Sequence, residues 1–246
     1  MKQVSENPGV QERKKSNMIQ STDFDHAEGA IEKLIDQVFY KQYGLEGDKR
    51  VVLEGQHIVV KEVIRSFAMK IISQDKLYAP FSIEGLERSE LLYYVPISNS
   101  PGQAVLSGKI DRLDRKENVI RVLDYKTGKN DEHKFESIES LFSRTSKRNK
   151  AAFQTMIYTL LYKANHNTSG LKLAPGLINR KTLYDGQSNE LTLGNMRVED
   201  ATEFLPEFEV RLKALLEELY DPAQTFKQTQ NTETCRFCNF KNICYR

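Results

Sequence analysis

The chain has 246 residues, with 36 Lys and Arg against 34 Asp and Glu, and a formal net charge of +2. This length can bury a sizeable core as one domain, or as one domain with an appendage. No apolar run approaches the roughly 20 residues that a membrane span needs, and the polar first 25 residues lack the apolar core of a signal peptide. We therefore expect a soluble cytoplasmic protein, with no membrane association, whose small net charge does not by itself indicate nucleic-acid binding.

The first third of the chain is predicted to be helical before it becomes rich in strands. Residues 1–25 are predicted to be disordered or loosely packed. Apolar residues then recur at helical spacing in residues 27–43 and again in residues 54–72. We expect these two helices to form a helical layer over residues 26–80, and residues 81–97 to form the first strand.

Two adjacent strands follow the first one. They are predicted at residues 104–115 and 119–126, and the polar turn Arg115-Lys116-Glu117-Asn118 joins them. Residues 130–150 form a long polar connection. The apolar periodicity of residues 151–164 predicts a helix after this connection.

The last part of the chain is predicted to complete the domain and then to become irregular. Residues 172–184 contain a strand that Pro175-Gly176 is expected to break. Residues 200–220 have the pattern of a long amphipathic helix, in which Pro206 predicts either a later start or a kink. Residues 221–246 form a loop-rich tail.

Asp111, Asp124 and Lys126 are among the charged residues that interrupt the two adjacent strands. Asp124 and Lys126 are two residues apart, so in a strand they point to the same face, and Asp111 on the neighbouring strand can reach that face. Two carboxylates and one ammonium at the end of a sheet suit a magnesium-dependent phosphodiesterase, because carboxylates hold the cation and the cation polarises a phosphate and activates water. For the bare triplet, an ordinary surface ion pair is the alternative.

The predicted helix after these strands carries two further polar residues. Gln154 and Tyr158 are four residues apart and share a helical face, where both can form hydrogen bonds. Taken alone, they could be amphipathic residues at the border of a core. The basic residues Arg144, Lys147 and Arg148 precede the helix, either as a solvated surface or as sequence-independent contacts to phosphate.

Three segments in a fixed order resemble a known family. They are residues 108–114 (GKIDRLD), 123–129 (LDYKTGK) and 154–158 (QTMIY). The ordered set resembles the PD-(D/E)xK nuclease superfamily, and within it the RecB/AddB-like nuclease branch. The resemblance implies an α/β fold in which a restriction-endonuclease-like core, with a central mixed β-sheet flanked by helices, occupies residues 81–220.

The resemblance also implies a site and an activity. Mg²⁺ or Mn²⁺ would be held by the two carboxylates and the Tyr125 carbonyl, and Gln154 and Tyr158 would touch DNA. His26 is the best-placed candidate for the upstream histidine that this branch usually carries as a metal ligand, although its surroundings match the pattern poorly. The implied protein is a nuclease module of a helicase–nuclease that repairs double-strand breaks with a partner subunit. The alternative is a nuclease fold that has lost cleavage and only binds DNA or a partner. The implied catalytic residues are Asp111, Asp124 and Lys126.

The three cysteines of the chain form a second pattern. Cys235, Cys238 and Cys244 follow the spacing C-x2-C-x5-C, and their odd number argues against a disulfide framework. In relatives of this branch, three such cysteines join a distant N-terminal one around a [4Fe–4S] cluster, so a cluster here requires a fourth ligand outside this chain. The missing cysteine predicts that the chain is a fragment. A Cys3His zinc site and unmetallated thiols are the alternatives, and the histidines available are His26, His57, His133 and His166.

Overall fold

A computed structural model describes residues 18–43, 54–98, 102–128, 132–145, 148–225, 227–236 and 238–246. Its helices are α1 (Ala27–Gln42), α2 (Gln56–Tyr78), α3 (Lys150–Asn165), α4 (Arg180–Tyr184) and α5 (Leu205–Leu219). Its strands are β1 (Met18–Ile19), β2 (Phe81–Arg88), β3 (Leu92–Pro96), β4 (Gln103–Ser107), β5 (Ile110–Lys116), β6 (Val119–Lys126), β7 (Lys134–Phe135), β8 (Lys172–Asn179), β9 (Thr192–Leu193) and β10 (Met196–Arg197). None of the helices in these ranges is both long and apolar enough to cross a membrane.

The central sheet is mixed. In the described residues its strand order is β1-β2-β5-β6-β8, in which β6 and β8 run parallel and the other neighbours run antiparallel. Helix α3 packs on one face through a large apolar cluster that includes Leu113, Val122 and Met156. Helix α2 packs on the other face, where Phe67 and Ile71 contact a small apolar cluster. The predicted α/β fold, a central mixed sheet flanked by helices, is confirmed.

The predicted helical layer before the sheet is also confirmed. Ion pairs join α1 to α2: Lys61 Nζ lies 2.5 Å from Asp36 Oδ1, and Arg65 Nε lies 2.8 Å from Glu32 Oε1. The predicted loose terminus over residues 1–25 lies mostly outside the described residues. Its last part contains β1, which pairs with the start of β2.

Two predicted strands are each divided in the structure. Residues 81–97 form β2 and β3, and residues 104–115 form β4 and β5. Strand β3 pairs with β4 in a separate two-stranded sheet, while β2 pairs with β5 in the central sheet. Each single predicted strand was therefore wrong, because the pairing partner changes at the breaks between these strands.

The polar connection before α3 contributes apolar side chains to the core. The pattern of residues 130–150 predicted a polar loop, but Phe135, Ile138 and Leu141 are buried in the main core. Strand β7 pairs in parallel with β9, and a 3-10 turn follows at Glu139–Phe142. The segment therefore extends the core beneath α3 and α5.

Two prolines behave in different ways. Pro175 and Gly176 lie inside β8, so the predicted break there was wrong. Strand β8 ends the described order of the central sheet, where a missing N–H is tolerated, and a side chain at Gly176 would lie 2.6 Å from the Asn189 carbonyl oxygen. Pro206 lies in the first turn of α5, where its missing N–H costs nothing, so the predicted later start is confirmed.

A buried network of charges ties α2 to the central sheet. The Arg112 guanidinium donates to both carboxylate oxygens of Asp75 on α2, at 2.8 and 2.9 Å, and to Asp114 at 2.9 Å. Arg121 donates to the same Asp114 carboxylate from β6, at 2.7 and 2.8 Å. Burial acts to lower the pKa of Arg112, but the hydrogen bond and charge of Asp75 outweigh this effect and raise it.

We expect Asp114→Asn to destabilise the fold strongly. The Asp114 side chain is fully buried and is shared by two buried guanidinium groups, and removing one partner of a buried ion pair costs about 3–5 kcal/mol. The matched control is Glu199→Gln at an exposed carboxylate, which should change the free energy of unfolding by no more than about 0.5 kcal/mol. Urea unfolding measures both variants, and equal stabilities would contradict the role given to Asp114.

Candidate active site

The antiparallel pairing of β5 with β6 places two carboxylates side by side. The ladder pairs Leu113 with Val122 and Arg112 with Leu123, so one further step sets Asp111 opposite Asp124. Directly opposite residues have Cβ atoms roughly 5 Å apart. Asp111 Oδ2 accepts a hydrogen bond of 2.8 Å from the backbone N–H of Tyr125, which holds this carboxylate beside the end of β6.

Lys126 connects the carboxylates to α3. Its Nζ lies 2.7 Å from Asp124 Oδ2 and donates to Gln154 Oε1 at 2.9 Å. The Asp124 residue is only 2% exposed, whereas the Lys126 side chain retains 22% exposure. The ammonium therefore stands between a buried carboxylate and solvent, where it can meet a ligand that arrives from outside.

Helix α3 supplies the polar side chains that continue this line. Gln154 Nε2 donates to the Tyr158 hydroxyl at 2.5 Å, as their spacing of four residues allows. The result is a continuous chain of contacts from Asp124 through Lys126 and Gln154 to Tyr158. The structure thus brings these four predicted residues together at one end of the sheet.

The absence of a side chain at Gly108 leaves space for the Tyr158 ring. A Cβ atom at Gly108 would lie 2.5 Å from Tyr158 Cε1, a separation at which the ring would have to move. The glycine stands between β4 and β5, three residues before Asp111. The first sequence motif therefore provides both a carboxylate and the gap that the ring of the third motif fills.

The sequence analysis did not find the polar residues behind the site. On the face of the sheet that contacts Asp75 of α2, Arg112 Nη1 donates to the Tyr125 hydroxyl at 3.4 Å. Burial raises the pKa of Tyr125, which keeps its phenol neutral. Arg112 and Asp114 are one and three residues after Asp111, so in a strand their side chains point to the opposite face of the sheet. Nothing in the sequence pointed to Asp75.

The predicted upstream ligand does not join the two carboxylates. His26 is exposed and precedes the first residue of α1. Across the described ranges, no group of three or more His, Cys, Asp or Glu side chains is arranged to hold a metal ion. Two carboxylates and a carbonyl still suit Mg²⁺, which is commonly bound through one or two carboxylates and keeps several waters.

The basic residues before α3 are placed differently from one another. Arg144 forms an ion pair with Glu218 of α5. Lys147 lies outside the described residues. The Arg148 guanidinium lies 5.6 Å from the centre of the Phe153 ring.

The three cysteines lie in the tail as free, partly exposed thiols. Cys235 ends the 3-10 turn Thr232–Cys235, and Cys238 N–H donates to the Cys235 carbonyl at 3.1 Å. In the described part of the chain they form no metal-holding group, either with one another or with a histidine. His57 instead packs against Tyr43, and His166 stacks on Tyr162. The predicted iron–sulfur or zinc centre therefore stays a prediction.

Comparison with known proteins agrees with this fold. The model of the PD-(D/E)XK nuclease superfamily matches residues 10–245. The chain therefore belongs to the PD-(D/E)XK nuclease superfamily, and this membership indicates a nuclease. A search of curated proteins gave no match.

We expect Gly108→Ala to disturb the site through Tyr158. The added methyl group would force the ring away and strain its bond with Gln154, and such overpacking typically costs about 1–3 kcal/mol. Gly29→Ala, in the first turn of α1, is the matched control, because nothing lies within 4 Å of its Cβ position and replacing Gly by Ala at a compatible backbone position stabilises a protein by about 0.4–1 kcal/mol. Urea unfolding should show a loss of stability for Gly108→Ala and a gain for Gly29→Ala, and the opposite order would show that Tyr158 does not depend on this glycine.

Proposed function

We propose that this protein is a deoxyribonuclease that depends on Mg²⁺ or Mn²⁺ and belongs to the RecB/AddB-like branch of its superfamily. One observation carries the proposal: Asp111 and Asp124 lie on adjacent strands, and Lys126 links Asp124 to Gln154 on α3. Superfamily membership supports nuclease activity, and the contacts among these residues support their roles in it.

Asp111, Asp124 and the Tyr125 carbonyl would hold the divalent cation. When bound, the cation would polarise the phosphate and favour ionisation of the attacking water. The hydrogen bond from Tyr125 N–H orients Asp111. Asp124, which precedes Tyr125 in the chain, is held by the Lys126 ammonium. His26 stays a possible further ligand only as a prediction from the resemblance.

Lys126 would stabilise the negative charge that develops on the phosphate. Asp124 and Gln154 fix its position from two sides, so the ammonium needs little reorganisation during the reaction. Gln154 in turn is held by Tyr158. Both α3 residues would line the path of the DNA strand beside the scissile phosphate.

Basic residues before α3 would contact the DNA backbone. Arg148 and Arg144 are the candidates among the described residues, although the exposed Arg144 side chain is paired with Glu218, and Lys147 stays a prediction from the sequence. Such contacts are independent of sequence and weaken with salt. DNA is therefore the proposed substrate and binding partner.

The wider role of the protein follows from the branch that it resembles. We propose a cytoplasmic nuclease module that acts in double-strand-break repair and recombination together with a helicase or nuclease partner subunit. Cys235, Cys238 and Cys244 would hold a [4Fe–4S] cluster only with a fourth ligand from outside this chain. A nuclease-fold module that only binds DNA or a partner is the outcome that a loss of cleavage would indicate.

We expect the chain to cleave linear DNA with Mg²⁺ or Mn²⁺ and to lose this activity in EDTA. Asp124→Asn keeps the shape of the side chain but removes the charge that would hold the cation, so it should abolish cleavage. Asp185→Asn, at an exposed position, is the matched control and should cleave like the parent chain. Gel assays on single- and double-stranded substrates measure this, and retained cleavage in Asp124→Asn would remove Asp124 from the catalytic site.

We expect Lys126→Ala to reduce turnover by about a hundredfold or more, the range seen when one stabilising group of a transition state is removed. Affinity for DNA should change little, because a contact made mainly in the transition state affects rate more than binding. Lys163→Ala, on the last turn of α3, is the control. Single-turnover rates and binding measured in EDTA separate the two effects, and an unchanged rate would refute the role of Lys126.

A further inference from the structure

A polar cleft of about 510 Å³ lies between the beginning of α3 and the C-terminal tail. Lys150, the first residue of α3, and Arg148 form one wall. Glu233 and Thr234, within the 3-10 turn Thr232–Cys235, form the opposite wall. Two segments more than eighty residues apart in the chain thus enclose one polar space.

Two of the cations that line this cleft, Arg148 and Lys150, are not neutralised by carboxylates of the described residues. Arg148 and Lys150 form no ion pair there, in contrast to Arg144, which also lines the cleft but is bound to Glu218. The lining includes one carboxylate, Glu233, which is exposed.

Hydroxyl groups complete the lining. Ser143 and Thr145 also line the cleft, and their hydroxyl oxygens lie 3.0 Å from each other. Cationic and hydroxyl donors around one space are the groups that proteins use to bind the phosphates of a nucleic acid. The excess of positive charge and hydroxyl donors in the cleft therefore favours binding of an anion with several oxygen acceptors.

The cleft continues the line of the active site along α3. Lys150, Gln154 and Tyr158 are spaced at four-residue intervals and lie on one face of this helix. With a rise of about 1.5 Å per residue, Lys150 lies roughly 6 Å before Gln154 along the helix axis. A strand whose reacting phosphate lies beside Gln154 can therefore extend its next phosphates toward Lys150.

We propose that this cleft is a second phosphate subsite, which binds the backbone of a nucleic-acid strand next to the reacting phosphodiester. The inference rests on the proposed nuclease function and deepens it by giving the strand a direction along α3, from Tyr158 toward Arg148 and Lys150. Glu233 on the cysteine-bearing tail opposes this binding by like charge. The tail is thus one wall of the substrate path.

Binding in the absence of metal tests the subsite without requiring cleavage. The probe is a fluorescein-labelled single-stranded oligonucleotide, and its anisotropy is followed with the whole chain in EDTA over a series of salt concentrations. The double variant R148Q/K150Q should bind on the order of tenfold more weakly at low salt, and its slope of log affinity against log salt should fall by about 1.4, which is two contacts at about 0.7 each.

The matched control is K163Q/K172Q, which also removes two positive charges. Lys163 lies in the last turn of α3 and Lys172 begins β8, so both are remote from the cleft. This control should bind with nearly the salt slope of the parent chain. Equal binding by the two double variants would overturn the proposal.

Glu233→Gln gives a result of the opposite sign. Removing the carboxylate should tighten binding about two- to threefold, a gain that misfolding cannot produce, while Glu199→Gln at a remote exposed position should not change it. An E233Q variant that binds like the parent would also overturn the subsite. If these differences in binding appear but the parent chain does not cleave DNA with Mg²⁺ or Mn²⁺, the proposed function fails and the subsite stands. If the parent chain cleaves DNA but the differences in binding are absent, only the subsite fails.

Discussion

The buried ion pair between Asp114 and Arg121 is the contact on which the site depends. These residues face each other across β5 and β6 and are 0% and 6% exposed. Because a slip of one residue would turn every side chain of a strand to the other face, and would separate this pair inside the sheet, the ion pair specifies one register. Only in that register does Asp111 lie opposite Asp124.

The two faces of the central sheet have different tasks. On the face toward α2, Arg112 joins Asp75 to Asp114 and holds the helical layer against the sheet. On the face toward α3, Lys126 joins Asp124 to Gln154. Charges that are paired within the protein stabilise the first face, whereas on the second face the Lys126 ammonium retains access to solvent. Because successive side chains of a strand point to opposite faces, β5 and β6 can supply both sets of charged residues.

The sequence was a good guide wherever short-range spacing decides the outcome. The two-residue spacing of Asp124 and Lys126 and the four-residue spacing of Gln154 and Tyr158 predicted shared faces, and the structure joins those faces through Lys126 and Gln154. It was a poor guide where the partner strand decides the outcome. The break after β2 and the continuation of β8 through Pro175 depend on which strand lies alongside, and local composition contains no record of this.

By itself the sequence determined the superfamily and the order of the three motifs, because each motif is encoded in residues close together in the chain. Only the tertiary structure decided that Asp75 of α2 meets Arg112, that Gly108 makes room for Tyr158, and that the tail faces the beginning of α3. These contacts join segments that are remote in sequence. They form because the packing of a whole core brings particular surfaces together, and no local pattern of residues specifies which remote segment will be the partner.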